Sequence, residues 1–422
     1  MLDSRLSAAA RDSALKTRVA WPGLLLAWQS PRWSAALAGA VYLAICLWHQ
    51  FPPGASNYPY YNYLADAFLH GQLHLRLLPA NVGDLVALDG HYYLYWPPLP
   101  AVLLMPFVAI FGVGFSDQLF TVALGALNVA LVALLVRRAD ERLALGLSPA
   151  QRSLLVLFFA LGSVHFPLAG RGRVWETAQL LAFACLALAY LAALSFKGPR
   201  AFVLAGLGVA AAALARNNVV LVGLWPAWYL LWSQRERGPR YLLRGTAFGL
   251  LPFLGAGLLF GAYNWLRFGS VLDVGLSHHL MAPLFRDDYV QFGAFSLHYL
   301  PTNLYYQLLH LPFFGNPLMG GSLFLMSPVW FSIFWAARQR RLRANALALG
   351  LTVLLAEVPI LLLMGTGWMQ FGSRYTLDFT VPLLLLAAQG VRYWPFRAQW
   401  LLTAVSIGLF SAGAILLAMF LG

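Results

Sequence analysis

Long apolar stretches separated by short basic segments dominate the chain. They occupy 33–51, 117–136, 151–168, 176–195, 201–216, 217–233, 244–263, 321–337, 344–364, 376–391 and 398–421. A bilayer core about 30 Å thick takes about 20 apolar residues per helix, so the pattern predicts about eleven transmembrane helices. A further stretch, 98–113, is shorter; it follows Trp96-Pro97 and carries Pro98, Pro100 and Pro106. Charge decides whether it crosses. With 98–113 lying in the interface and the N-terminus inside, the inner segments hold 21 of the 28 basic residues. The outer side then keeps Arg76, Arg171, Arg173, Arg216, Arg267, Arg286 and Arg374. A crossing at 98–113 would largely reverse this bias, so the positive-inside rule makes it an outer interfacial helix.

Composition narrows the class. The chain of 422 residues is 60% hydrophobic and 10% charged, with a mean hydropathy of +0.69, against roughly 25% charge in soluble domains. A soluble multidomain enzyme, a disordered chain and a disulfide scaffold are excluded. Cys46 and Cys185 both sit in apolar runs. The net charge of +13 reads as basic cytoplasmic loops facing anionic lipid, not as a nucleic-acid surface. Residues 1–32 carry Pro22 and Pro31 and lack the compact apolar core of a cleavable signal. The expected fold class is an all-α polytopic membrane protein. A cytoplasmic segment, 1–32, precedes a single transmembrane domain, 33–422, because no period of 20–50 residues repeats.

Only two outer segments are long, 52–116 and 264–320, and loops of that size are usually functional or carry their own structure. Both are rich in tyrosine and tryptophan, the residues of the headgroup level. Nine of the fifteen acids fall on or near the outer rim, among them Asp66, Glu176 and Asp378. Chemistry is therefore expected on the outer face. In the first loop, Leu64, Ala67 and Phe68 have helical spacing and Gly71 is a natural stop. Asn62, Asp66 and His70 share a face of that helix, and Asp89-Gly90-His91-Tyr92-Tyr93 reads as a turn into an extended piece.

This order continues through a Pro-Pro interfacial helix closing on Phe-Gly, Gly170-Arg-Gly-Arg-Val-Trp-Glu176, and Gly372-Ser-Arg374-Tyr375. It resembles the GT-C membrane glycosyltransferases, and more narrowly the bacterial relatives of protein mannosyltransferases and of the lipid A aminoarabinose transferase. The resemblance covers about 33–400 and implies a GT-C helical bundle. It also implies transfer of a sugar from a polyprenyl-phosphate donor to a lipid, glycan or protein acceptor at the outer, periplasmic or extracellular, face of a bacterial inner membrane. A carboxylate can serve as general base on an acceptor hydroxyl, and an arginine can neutralise the departing phosphate. Asp66, as base or as positioner of the acceptor, and Glu176, which matches the family's second acidic position, are the expected catalytic residues. Asn57, Tyr61, His70, Tyr93, Arg216, Arg374 and Tyr375 are the expected substrate contacts. The chain departs from many relatives in one respect: their acidic residue one helix length before the glycine falls here at Ser56 or Asn57. Either Asp66 takes over, or Asn57 orients the acceptor, or activity is lost.

Some enzymes of the class use magnesium or manganese and others do not, so such a divalent cation stays open as a cofactor, and no metal ligands are assigned. His70 and His74, four apart, are separated by Gly71, and the pair Asp287-Asp288 reads as solvated. Glu357 stands alone in its span and is expected to pair with a polar group of a neighbour. Inverted repeats with several midplane charges would mark a secondary transporter or flippase, and only Glu357 fits that pattern. A non-catalytic lipid-glycan binder is the third class kept open by the Asn57 departure. No Walker loop and no dinucleotide fingerprint occurs.

Overall fold

The computed structural model describes residues 23–421 except 315–318, 367 and 369; most of the expected cytoplasmic segment, 1–22, lies outside that range. Every apolar run read from the sequence is helical over at least part of its length. In chain order the main helices are α1 Pro31–His49, α2 Tyr60–Leu69, α3 Leu99–Phe111, α4 Asp117–Leu143, α5 Pro149–Leu161 and α6 Val174–Ser195. They continue with α7 Pro199–Ala215, α8 Leu224–Ser233, α9 Pro239–Phe268, α10 Arg343–Leu362, α11 Thr380–Val391 and α12 Phe396–Leu421. Local sequence marks the boundaries. Ser116 caps α4, Ser148 and Gln151 form a reciprocal capping box on α5, and Pro149, Pro199 and Pro239 occupy first turns where a missing N–H costs nothing.

By length and composition, five of the described helices can cross a membrane: 117–143, 174–195, 239–268, 340–362 and 396–416. Helix α1 is long enough at 19 residues but less apolar, and the other apolar runs are shorter or broken. The run at 321–337 becomes a helical turn, Leu323–Met326, followed by a 3-10 segment, Pro328–Arg338, and the run at 217–233 opens as 3-10 helix before α8. Helix α3 has 13 residues, below the length of a span, and leaves Phe107, Ile110 and Phe111 exposed.

The bundle is centred on α6, whose apolar window is 83% buried, while α9 is peripheral at 6%. Helices in lipid gain little from apolar burial against one another, so close approach and polar ties hold them. Gly206 of α7 meets the backbone of Gly249 of α9 so closely that a Cβ there would overlap the carbonyl. Across the core, Asn128 donates to the Leu180 carbonyl at 3.0 Å, Tyr190 to the Val222 carbonyl at 2.9 Å, and the Trp225 indole to Asn345 Oδ1 at 3.0 Å.

The connections segregate to two ends. The short basic ones bond to each other: Arg341 donates to the Leu143 carbonyl at 3.2 Å, Arg142 to that of Ser195 at 3.4 Å, and Arg392 to Gln339 Oε1 at 2.5 Å. The long loops meet at the opposite end. A hairpin of β1 (Val86–Leu88) and β2 (His91–Tyr93) turns at Asp89-Gly90, both at positive φ (51° and 79°), as a tight primed turn requires. The hairpin is joined to the second loop: Leu280 N–H donates to the Leu85 carbonyl at 2.8 Å and Asp84 N–H to that of Leu280 at 2.9 Å. A two-residue parallel pairing, β3 (Met319–Gly320) with β4 (Gln370–Phe371), ties the last turn of this end to the same assembly.

Candidate active site

Two turns converge beside the long loops. The turn before α6 is pressed onto the start of α4, where a Cβ on Gly172 would overlap the backbone of Asp117 and Gln118. It is tied to the first loop by the Val174 N–H, which donates to the Tyr58 carbonyl at 3.1 Å. The turn after β4 holds Gly372 at φ 77°, and Ser373 Oγ donates to the Gly321 carbonyl at 2.6 Å. Gln179 of α6 bridges the turns, donating to the Arg374 carbonyl at 3.2 Å and to Asp378 Oδ1 at 3.4 Å.

These anchors bring Arg171, Arg173, Glu176 and Arg374 to one crevice. Glu176, 1% exposed in the first turn of α6, sits where the helix dipole favours a carboxylate. Its Oε1 accepts from Arg173 Nε at 3.0 Å and also from Arg173 Nη2, while Oε2 is buried without a partner. Arg374 lies over the rings of Trp175 and Tyr375, 5.6 and 5.1 Å from their centroids, and its Nε is buried without a partner. Among the described residues no carboxylate pairs with Arg171 or Arg374. Burial, then the neighbouring Arg173, pushes Arg171 down to about 10, which leaves it cationic at neutral pH. Three guanidinium groups thus face one carboxylate, an arrangement that an anion relieves.

Tyr375 separates this crevice from a cavity of about 400 Å³. Its walls come from both long loops and from α10, and include Tyr95, Trp96, Arg216, Asn218, His279, Tyr289 and Tyr375. Arg216 is 8% exposed; its Nε donates to Asp378 Oδ2 at 2.8 Å and its guanidinium lies 4.9 Å from the Tyr375 ring centroid. Asn218 donates to the same Oδ2 at 2.7 Å. Burial pushes the Tyr95 hydroxyl well up; Asp84 and Tyr375 add to the rise while Arg374 and Arg216 oppose it. One phenol therefore feels charges from both sides of the cavity. The volume suits a small ligand with a few convergent polar groups.

Of the expected site residues, Glu176, Arg216, Arg374 and Tyr375 come together. Tyr61 is buried with an unpartnered hydroxyl within the field of Arg216. Asp66 is engaged by a different arginine: Arg76 grips both its oxygens, Nε to Oδ2 and Nη2 to Oδ1, each at 3.0 Å. No hydrogen bond or ion pair among the described residues joins it to Glu176 or Arg374. His70 ends α2, with Nδ1 2.8 Å from the Asp66 carbonyl. Asn57 is exposed, and Tyr93 packs edge-on to Phe268 at 5.4 Å. At the departure, it is Ser56 that reaches a carboxylate, donating through N and Oγ to Asp117 at 2.7 and 2.6 Å. Glu357 is bonded by Gln307. Among the described residues no group of three metal-ligating side chains occurs. Asp378, Arg171 and the Asp84–His279 contact were not singled out as site residues. For Asp378 the signal was its place one turn beyond Arg374.

No protein-family model and no curated protein matches the chain. Among solved structures, the fold is similar to that of ArnT from Cupriavidus metallidurans bound to undecaprenyl phosphate, with a TM-score of 0.52, 15% identity and 90% of this chain covered. The chain spans 63% of the length of that protein. The oligosaccharyltransferase of Archaeoglobus fulgidus in its apo form matches with a TM-score of 0.47 and 12% identity, over 90% of this chain and 55% of that one. The same enzyme tethered to an acceptor peptide matches with a TM-score of 0.47 and 14% identity, over 90% and 54%. The fold is GT-C-like, on an all-α, multi-pass helical frame.

Proposed function

We propose that this chain is a membrane glycosyltransferase that takes a sugar from a polyprenyl-phosphate donor and passes it to a lipid, glycan or protein acceptor at the outer face. The observation that carries the reading is the crevice of Arg171, Arg173 and Arg374, balanced only by Glu176 and adjoining the larger cavity. Arg374 and Arg171, without carboxylate partners, hold the lipid phosphate and take up its charge as it leaves. Glu176 acts by setting the charge of this crevice. Arg216, already neutralised by Asp378, shapes the cavity wall that receives the sugar. Asp66, gripped by Arg76 at the end of α2, is poorly placed to remove a proton and instead fixes the rim of the first loop. A lipid phosphate as ligand is supported by the likeness of fold to ArnT, whose structure is bound to undecaprenyl phosphate.

The direct test is undecaprenyl phosphate binding to purified, nanodisc-reconstituted protein, read by the part of the tryptophan fluorescence change that Trp175→Phe removes, since Trp175 lies against Arg173 and Arg374. Saturable binding that is weakened by Arg374→Ala supports the reading. No binding, or binding indifferent to that change, refutes it.

A further inference from the structure

A short backbone pairing joins the two long loops, and that pairing carries an acid and an imidazole. Val86 and His279 form an antiparallel bridge, flanked by the Leu85–Leu280 and Asp84–Leu280 backbone hydrogen bonds. Asp84 sits at φ 67°, an uncommon conformation for a side chain other than glycine, and it is held there by that pairing. The outcome is that His279 Nε2 lies 3.3 Å from Asp84 Oδ1, with the imidazole side chain 12% exposed. Nε2 is buried and makes no hydrogen bond, so the Asp84 carboxylate is its charge neighbour. The ring also lines the cavity, edge-on to Tyr95 at 5.0 Å. The other titratable or charged groups on the cavity walls are Arg216, Tyr289 and Tyr375.

Glycosyl transfer to a hydroxyl releases a proton, and the arginine crevice cannot accept it. Glu176 is clamped by Arg173 and Asp66 by Arg76. We propose that His279 is the general base of the cavity and Asp84 its positioning residue; this rests on the glycosyltransferase reading above. The acceptor oxygen bonds to the anomeric carbon while its proton passes to the imidazole. The bond from that carbon to the phosphate oxygen breaks, and its electron pair leaves with the polyprenyl phosphate toward Arg374 and Arg171. Asp84 balances the imidazolium, which then returns its proton to water.

The test uses the full chain in nanodiscs, with undecaprenyl-phosphoryl mannose, galactose and aminoarabinose as donors and host-membrane lipids plus water as acceptors. Release of undecaprenyl phosphate is followed across pH. A positioned base contributes about 10²- to 10⁴-fold, so His279→Gln is expected to lower kcat by at least about 100-fold while undecaprenyl phosphate still binds. It should also abolish the fall in rate on the acidic side. Asp84→Asn is expected to lower kcat less than His279→Gln does while leaving KM unchanged, and Asp84→Glu to recover part of the rate. A merely structural pair would change amplitude without moving the pH profile. If the unaltered protein turns over and His279→Gln keeps both its rate and its profile, the base assignment is overturned and the glycosyltransferase reading stands. If the unaltered protein binds undecaprenyl phosphate but turns over no donor, the base assignment is overturned; if it neither binds nor turns over, both are.

Discussion

Arg216 and Asp378, 162 residues apart, meet through a 2.8 Å bond from Nε to Oδ2, with side chains 9% and 2% exposed. The pair fastens the end of α7 to the turn that follows Arg374, and Asn218 and Gln179 complete the carboxylate's partners. Removing one member of a buried pair strands the other charge, at a cost of about 3–5 kcal/mol. Asp378→Asn is thus expected to lower thermal stability in detergent strongly. Joint replacement of both residues by leucine or methionine is expected to recover much of that loss. Equal loss from the single and joint changes would argue against the pair as the fastening.

Arg374 and Arg171 carry the phosphate in this account. A hydrogen bond to a charged group is worth about 1.5–3 kcal/mol, so Arg374→Ala and Arg171→Ala are each expected to weaken undecaprenyl phosphate binding by about 10- to 100-fold. Titration of Trp175 fluorescence measures it, and the loss should shrink as ionic strength rises if the contacts are exposed to screening ions.

Glu176 and Asp66 are expected to behave differently. Glu176→Gln releases Arg173 from its carboxylate and adds net positive charge to the crevice, so phosphate binding should tighten, by about fivefold. Asp66→Asn removes a rim contact with a half-exposed arginine, and binding should stay within about twofold. The same titration checks both, and the opposite ranking would return Asp66 to the centre of the site.

The turn that presents Arg171 and Arg173 depends on close backbone approach. A Cβ at residue 172 would overlap the backbone at Asp117 and Gln118 rather than a movable side chain. Gly172→Ala therefore forces the turn away from α4, with a destabilisation of about 1–3 kcal/mol. Thermal unfolding should report that loss, and phosphate binding should fall with it even though no charge has changed.

Much of the architecture was legible in the apolar runs, because burial in lipid requires whole helices and leaves a strong one-dimensional signal. The runs at 117–136 and 176–195 became α4 and α6. The run at 321–337 misled as to form, since composition alone does not distinguish an α-helix from the 3-10 segment Pro328–Arg338. Arg374 and Glu176 could be found because they punctuate apolar stretches at helix starts. The Arg76 grip on Asp66, the Arg216–Asp378 pair and the Asp84–His279 contact could not. Each joins separate segments, over 10, 162 and about 200 residues, and no local pattern encodes which loops meet.

The most direct measurement is a cryo-electron microscopy map of the reconstituted protein with undecaprenyl phosphate. The account predicts phosphate density within hydrogen-bond reach of Arg374 and Arg171, with the isoprenoid chain running out between the helices. Density elsewhere, or an empty crevice at saturating ligand, would contradict it.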